Sequence, residues 1–523
     1  MKTRPELLKA ARNSASFDII VIGGGATGAG VAVDAASRGL KVLLLEQHDF
    51  GKGTSSRSTK LIHGGLRYLK QGNIKLVQEA LQERGRLVKN APHLVGHLSF
   101  LIPLYHYYEG PFYGAGLKLY DALAGSLGLK PSKFLSKEEV LKKLPNVKQE
   151  GLKGGLLYYD GQFDDSRLLI SLIHTASDLG AICLNYTKVI DFIKEDGRVA
   201  GVIAQDFCSD EQLRFEAKSV ICAAGVFSDN VRGLSDESRE PFIRPSQGIH
   251  LVIPKDFFQD HTALMIPKTE DGRVLFIVPW QNRLLLGTTD TEKEHIELEP
   301  IPLESEISFI LEEAGKYLTT PPKREDVLSV FAGLRPLIAQ KGKLSKSLSR
   351  DHVIEISPSA LITIVGGKWT TYRKMAEDAV DCFFKLHNME KIPSQTHHLK
   401  LHGYKEGVDP ALDFSKYGSD DKLVLEIEEQ MPFHQEQIHP KLPFSVAEVI
   451  FSCRFELAIK IEDFLARRSR ALLIDAQSAI EAAPLVAQIM AKELGYDSNW
   501  VEKEIANFRK LAEIYSLNSP KRE

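Results

Sequence analysis

The sequence predicts an α/β chain of three parts: a parallel sheet wrapped by helices, a second sheet of antiparallel strands, and a helical C-terminal region. Residues 17–46 read as strand, glycine turn, helix, strand. The runs "HLVIP" (250–254), "RVLFIVPW" (273–280) and "RLLLGTTD" (283–290) read as strands. Beyond residue 423 the apolar positions recur with a helical period. A chain of 523 residues also exceeds what one hydrophobic core serves, so two or three domains are expected.

The first element is the most informative. Residues 19–22 are apolar and β-branched, as in a buried strand, and Gly23, Gly25 and Gly28 follow with GxGxxG spacing. One glycine makes the tight turn, one admits a pyrophosphate close to the backbone, and one lets the helix pack on the sheet. Residues 29–37 continue as helix and Val42–Leu45 form the next strand. The free N–H groups at the helix start favour a phosphate by roughly 0.3–1 kcal/mol. Glu46 ends the second strand, where a carboxylate accepts hydrogen bonds from ribose hydroxyls. Together these describe a Rossmann-like dinucleotide site. NAD and the ADP half of FAD use the same cradle, so this stretch leaves the dinucleotide open.

Composition narrows the class. Apolar residues make up 43% and charged residues 26%, the balance of a globular protein, and a net charge of -3 gives no drive toward nucleic acid. Cys183, Cys208, Cys222, Cys382 and Cys453 are scattered and lack CxxC spacing, so neither a disulfide framework nor a metal site is expected. A reducing cytosol fits. No apolar h-region follows Lys2 and Arg4, and no run of about 18 apolar residues offers a spanning helix. Any membrane contact is therefore expected from one side.

After Glu46 comes the hydroxyl-rich block holding Thr54, Ser55, Ser56 and Ser58, small groups that suit a cofactor's phosphates and ring edge but equally a solvated turn. Farther on, "KSVICAAG" (218–225) is an apolar strand ending in small residues, and "TIVGGKWTTYRKMAEDAV" (363–380) is a strand, two glycines and a helix starting near Thr370. Thr370 or Thr371 is placed to cap that helix.

Together with "YYDGQFDDSRL" (158–168), "CAAGVFSD" (222–229), "RPSQGIHLVIP" (244–254), "LLLGTTDTE" (284–292), "GLRPL" (333–337), "SRDHVI" (349–354) and "GGKWTTYRKMAEDAV" (366–380), the block "FGKGTSSRSTKLIHGGLRYL" (50–69) resembles the FAD-dependent glycerol-3-phosphate dehydrogenases, from about residue 17 through the C-terminal helices. The resemblance implies an FAD-binding Rossmann-like domain, an antiparallel-sheet substrate domain over the flavin, and a C-terminal helical domain. It implies non-covalent FAD, so His63 is expected to play a hydrogen-bonding part rather than to link the flavin. It implies oxidation of sn-glycerol 3-phosphate to dihydroxyacetone phosphate. Ala224, Gly225, Gly367 and Thr370 join Gly23, Gly25, Gly28, Glu46, Thr54, Ser55, Ser56 and Ser58 as expected cofactor contacts.

For the substrate, the matching positions are Arg67, Tyr68, Arg335, Arg350 and Lys368. Cations gathered from distant segments repel one another unless an anion joins them. Arg67, with its bidentate fork, Tyr68 and Arg350 are expected on the phosphate, and Arg335 and Lys368 on the C2 oxygen. His250 is the expected base, since a cationic site favours the neutral imidazole. Each arginine has a plainer reading as a structural ion pair.

The flavin-binding pieces are expected at about 17–95, 150–240 and 330–390, interleaved with the substrate domain within 17–390; 391–422 reads as a linker and 423–523 as the helical domain. The aromatic stretch 100–130, with Lys118 and Lys130, suits insertion into a membrane surface or equally a buried helix hairpin. "ARRSRALLID" (466–475) offers basic contacts to lipid or phosphate, or an exposed helix face. The resembling enzymes are peripheral membrane proteins that reduce quinone, so a cytoplasmic, membrane-attached enzyme is expected, with a homodimer left open. A glycerol-3-phosphate oxidase using oxygen, a non-catalytic dinucleotide sensor and an amine oxidase are the rival readings. The converging cations argue against the last two.

Overall fold

The computed structural model describes residues 2–66, 69, 72–236, 240–258, 260–339, 351–408, 414–430 and 436–517. Arg67, Tyr68 and Arg350 lie outside the described residues.

Phe17–Ile22 is the centre of the first sheet. Val42–Leu45 and Glu211–Cys222 flank it in parallel, followed by Ile182–Leu184 on one side and Ile362–Gly366 on the other. All six positions of Phe17–Ile22 but one are buried, as a strand covered on both faces requires. The glycine fingerprint leads into the helix Ala26–Ser37, which packs against Asp165–Asp178 and Tyr372–Leu386. Thr187–Glu195 and Arg198–Asp206 form an antiparallel ribbon on the outer half of Glu211–Cys222.

The second sheet has ten strands among the described residues. Ile243–Pro254 pairs with both Arg283–Gly287 and Ser329–Ile338, and Leu275–Trp280 extends the sheet. The alternating runs at 250–254, 273–280 and 283–290 thus fall on strands. One pair departs from the antiparallel expectation: Thr262–Ile266 runs parallel to Val95–Leu104. The connection between them is long enough to cross over, which a parallel pair needs.

Val446–Phe455, Ala476–Leu494 and Ser498–Glu513 build the C-terminal helices, whose apolar faces share a core with the second sheet. The expected lipid contact of "ARRSRALLID" does not occur there. Arg467, Arg468 and Arg470 are 3%, 2% and 1% exposed. Carboxylates supplied by Asp49, Asp165, Glu462 and Asp463 hold them inside. No described helix is long and apolar enough to cross a membrane.

The stretch after residue 391 is tied to the first domain. Ser394 donates to Asp34 at 2.5 Å, and Asn90 donates to the Thr396 carbonyl at 3.1 Å. His402 bridges Asp178 and Asp420 at 2.6 and 2.7 Å, with the ring of buried His174 at 4.5 Å. Burial opposes protonation of His402, but the two carboxylates outweigh it and raise its pKa to about 9.

A folded-state pKa above the usual 6.5 means that this clasp contributes fully below pH 6.5 and is lost as pH rises through 9. With Asp178 more than half exposed and therefore screened, the contribution is roughly 1–2 kcal/mol. Denaturant unfolding of wild type and His402→Gln across pH 6–10 is expected to show that loss in the wild type and a flatter profile in the variant.

Candidate active site

A cavity of about 970 Å³ opens where the parallel strands end, the place where open α/β sheets bind ligands. Its floor is the fingerprint turn, with Gly23, Gly25 and Ala26; Ala224 and Gly225 line it from the neighbouring strand's end. Gly23 has φ +111, and a Cβ there would stand 2.7 Å from the Ala223 carbonyl oxygen. Gly28 does not face the cavity. A Cβ on it would come within 1.8 Å of the Gly23 oxygen, so its task is the close packing of helix on turn.

Glu46 lines the cavity while its oxygens accept from the Gly24 and His48 amides at 2.7 and 2.9 Å. Burial pushes its carboxyl above the ordinary range, and the two amides pull it back. Each carboxylate oxygen retains a second lone pair for ribose hydroxyls.

The hydroxyl block is built into the protein. Thr54 donates to the Leu334 carbonyl at 2.6 Å, and Ser55 accepts the first helical amide, Ala26, at 2.9 Å. Ser58 donates to Asp165 at 2.7 Å. Thr54, Ser55 and Ser58 line the cavity; Ser56 does not, and its hydroxyl lies 3.4 Å from the Gly53 carbonyl. These groups therefore shape the loop that forms the cavity wall. Trp369 holds the same loop from the far segment, donating its indole N–H to the Ser55 carbonyl at 2.8 Å.

The roof comes from the second sheet. His250 and Arg335 face the cavity from neighbouring strands, and Lys368 joins them from the loop after Ile362–Gly366. Arg335 reaches the Thr289 carbonyl at 3.0 Å and stands 3.6 Å from Asp290, so its charge is partly shared with a structural carboxylate. Burial first, then the charges of Lys60 and Arg335, hold His250 well below the usual histidine range and hence neutral. Gly367 and Thr370 line the cavity beside Lys368. The helix there begins at Tyr372, after a 3₁₀ turn over Trp369–Thr371. Thr371 stands at its N-cap position, as expected, but its hydroxyl donates to the Lys368 carbonyl at 3.3 Å instead of capping, and Thr370 accepts the His63 backbone amide at 3.2 Å.

Two contributors escaped sequence reading. Thr187–Ile190, at the start of the ribbon, line one end of the cavity; nothing local marks that ribbon as a nucleotide neighbour. Thr59 lines it too and meets His250 at 2.9 Å; its place in the hydroxyl block was the available signal.

A phosphate cradle without side chains and a helix start aimed at the cavity fit an adenine dinucleotide, and the match to the FAD dependent oxidoreductase family over residues 18–373 makes the class explicit. Residues 361–500 match the C-terminal domain of alpha-glycerophosphate oxidase. Mitochondrial glycerol-3-phosphate dehydrogenases are 39% identical in Bos taurus, across 96% of this chain and 74% of theirs, and 38% identical in Homo sapiens, across 97% and 75%. The solved glycerol-3-phosphate dehydrogenase from Bacillus halodurans, complexed with FAD, superposes with a TM-score of 0.81 at 28% identity, covering 98% of this chain and 97% of that one. The chain belongs to the FAD-dependent glycerol-3-phosphate dehydrogenase family, and FAD is its cofactor.

Gly28→Ala is expected to emerge without flavin or insoluble, because the added methyl overlaps backbone that cannot move without opening the turn. Gly233→Ala, where a Cβ meets nothing within 4 Å, is expected to keep the wild-type ratio of flavin to protein absorbance.

Proposed function

We propose that this cavity oxidises sn-glycerol 3-phosphate at C2 and that the electrons then leave to a quinone at a membrane surface. The observation that carries the reading is the meeting of His250, Arg335 and Lys368, from three separate segments, over a dinucleotide cradle. Bound FAD supplies the two-electron acceptor for the C2 hydride. Arg335 and Lys368 stabilise charge developing on the C2 oxygen, and neutral His250 takes its proton. On sequence alone, Arg67, Tyr68 and Arg350 hold the phosphate. The substrate's phosphate adds negative charge to a cationic cavity and so moves the His250 pKa back up, toward the range where a base works best.

Anaerobic addition of sn-glycerol 3-phosphate is expected to bleach the flavin absorbance stoichiometrically. Lys368→Met is expected to slow that bleaching by about 100-fold. Absence of bleaching in the wild type refutes the substrate assignment. Hydrogen peroxide formed one-to-one with product in air would instead make the enzyme an oxidase.

One surface supports cytoplasmic enzyme attached to a membrane by one face. Tyr107, Tyr108, Phe112 and Phe134 are 81%, 72%, 60% and 56% exposed. Lys153 lies 5.0 Å from the Tyr107 ring, so aromatic rings and cations sit together as at a lipid headgroup boundary. The helix Glu109–Ala124 buries Leu117 and Tyr120 beneath them. Tyr108→Ser with Phe112→Ser is expected to weaken sedimentation with anionic vesicles about tenfold and to lower quinone reduction, leaving flavin bleaching unchanged.

A further inference from the structure

A hydroxyl meets His250 at the cavity wall. Thr59 and His250 both line the cavity, Thr59 Oγ1 lies 2.9 Å from His250 Nε2, and His250 is only 3% exposed. The ring is clamped on both faces. Phe331 stacks on it with centroids 5.0 Å apart at 22°. Opposite, a Cβ on Gly287 would stand 2.2 Å from Cδ2. His250 Nδ1 has no hydrogen-bond partner among the described residues. Of the two ring nitrogens, Nε2 is then the one that is hydrogen-bonded, and Thr59 is its partner.

Thr59 owes this position to a buried knot that the proposed chemistry does not otherwise use. Its neighbour Lys60 has φ +63, a left-handed conformation that side-chain-bearing residues rarely adopt. The Lys60 side chain is fully buried, with Nζ 2.6 Å from Asp165 and 2.9 Å from the Ser56 carbonyl. Ser58 donates to the same carboxylate oxygen, and Arg470 of the C-terminal region pairs with the other at 3.0 Å. Strain at one residue persists where surrounding contacts over-determine it. Here they turn the chain so that the Thr59 hydroxyl meets the imidazole.

We propose that Thr59 is a further catalytic residue, its hydroxyl carrying the proton from the substrate's C2 oxygen to His250, with Lys60, Asp165 and Arg470 as its positioning residues. This rests on the reading of His250 as the base. The substrate O–H bond breaks as its proton bonds to Thr59 Oγ1, and Thr59 passes its own proton to Nε2. The C2–H electron pair leaves as hydride to the flavin, the O–H electrons complete the C2 carbonyl, and Thr59 ends as a neutral hydroxyl. The imidazolium left behind faces Lys60 and Arg335 in a dry site, so once the anionic product departs it returns its proton through Thr59 to water that refills the cavity. The relay requires the neutral ring to carry its hydrogen on Nδ1.

The test compares holoenzyme as wild type, Thr59→Ser and Thr59→Val. In anaerobic stopped-flow reduction by sn-glycerol 3-phosphate, the serine variant is expected within a few-fold of wild type. The valine variant is expected about 100-fold slower at pH 7, the gap narrowing as pH rises, with unchanged affinity for dihydroxyacetone phosphate. In imidazole-¹⁵N-labelled wild type, the His250 signals, assigned by their loss in His250→Gln, are expected to show the Nδ1–H tautomer. A valine variant that reduces within threefold of wild type with the same pH limb overturns the relay, as does the Nε2–H tautomer. Should the valine variant lose its flavin, the wild-type tautomer alone decides. A wild type that is not reduced at all refutes the substrate assignment and not the relay.

Discussion

Asp49 and Asp165 have no solvent contact, and the placement of the cofactor loop depends on how their charges are met. Arg468 holds Asp49 with two bonds of 2.7 and 2.8 Å, and Arg467 adds a third. Arg470 and Lys60 hold Asp165. Burial works against ionisation of both aspartates, and the cations beside them overcome it, keeping both carboxyls below their ordinary range. A buried pair gains little over apolar packing, but losing one partner strands a charge at a cost of about 3–5 kcal/mol. The loop that walls the flavin cavity therefore cannot take this shape without arginines contributed by the C-terminal region.

That dependence explains why the three parts of the chain form one working unit. The first sheet provides the carboxyl ends of parallel strands and a helix start that attracts phosphate. The second sheet brings His250 and Arg335 over it on paired strands, fixed in register by Ile243–Pro254 and Ser329–Ile338. The C-terminal region shares its core with the second sheet and reaches through to the first domain's loop. Lys52 extends the same bridge, paired with Glu299 at 2.7 Å and with Glu462.

Electrostatics at the cavity follow from burial more than from any single charge. Dryness alone disfavours an imidazolium at His250, and Lys60 and Arg335 add to that. The same dryness strips Lys60 itself, whose pKa falls to about 7 despite Asp165. A doubly charged phosphate ester entering such a site reverses much of this, so binding and proton affinity are coupled by the substrate's own charge.

Much of this was legible in the order of residues. The strand and glycine spacing of 17–46 forces the nucleotide cradle, because a tight turn and a close helix need positions without side chains, and Gly28 serves the packing task its spacing implies. The alternating runs at 250–290 disclose strands by their period of two. The blocks around His250, Arg335 and Lys368 point to one site through resemblance, and folding brings those three together. The hydroxyl block was legible as part of the site, but not that Ser56 turns away while Thr59 meets the imidazole. Nor did "ARRSRALLID" reveal that its arginines lie inside. A short basic run looks the same whether water or buried carboxylates surround it, and those carboxylates come from positions as distant as Asp49. Local periodicity and backbone sterics are written in neighbouring residues, so the sequence alone determined the elements and the cradle. Charge pairing and side-chain direction arise between segments that meet only when packed, so tertiary structure decided how the cavity is walled and which hydroxyl meets His250.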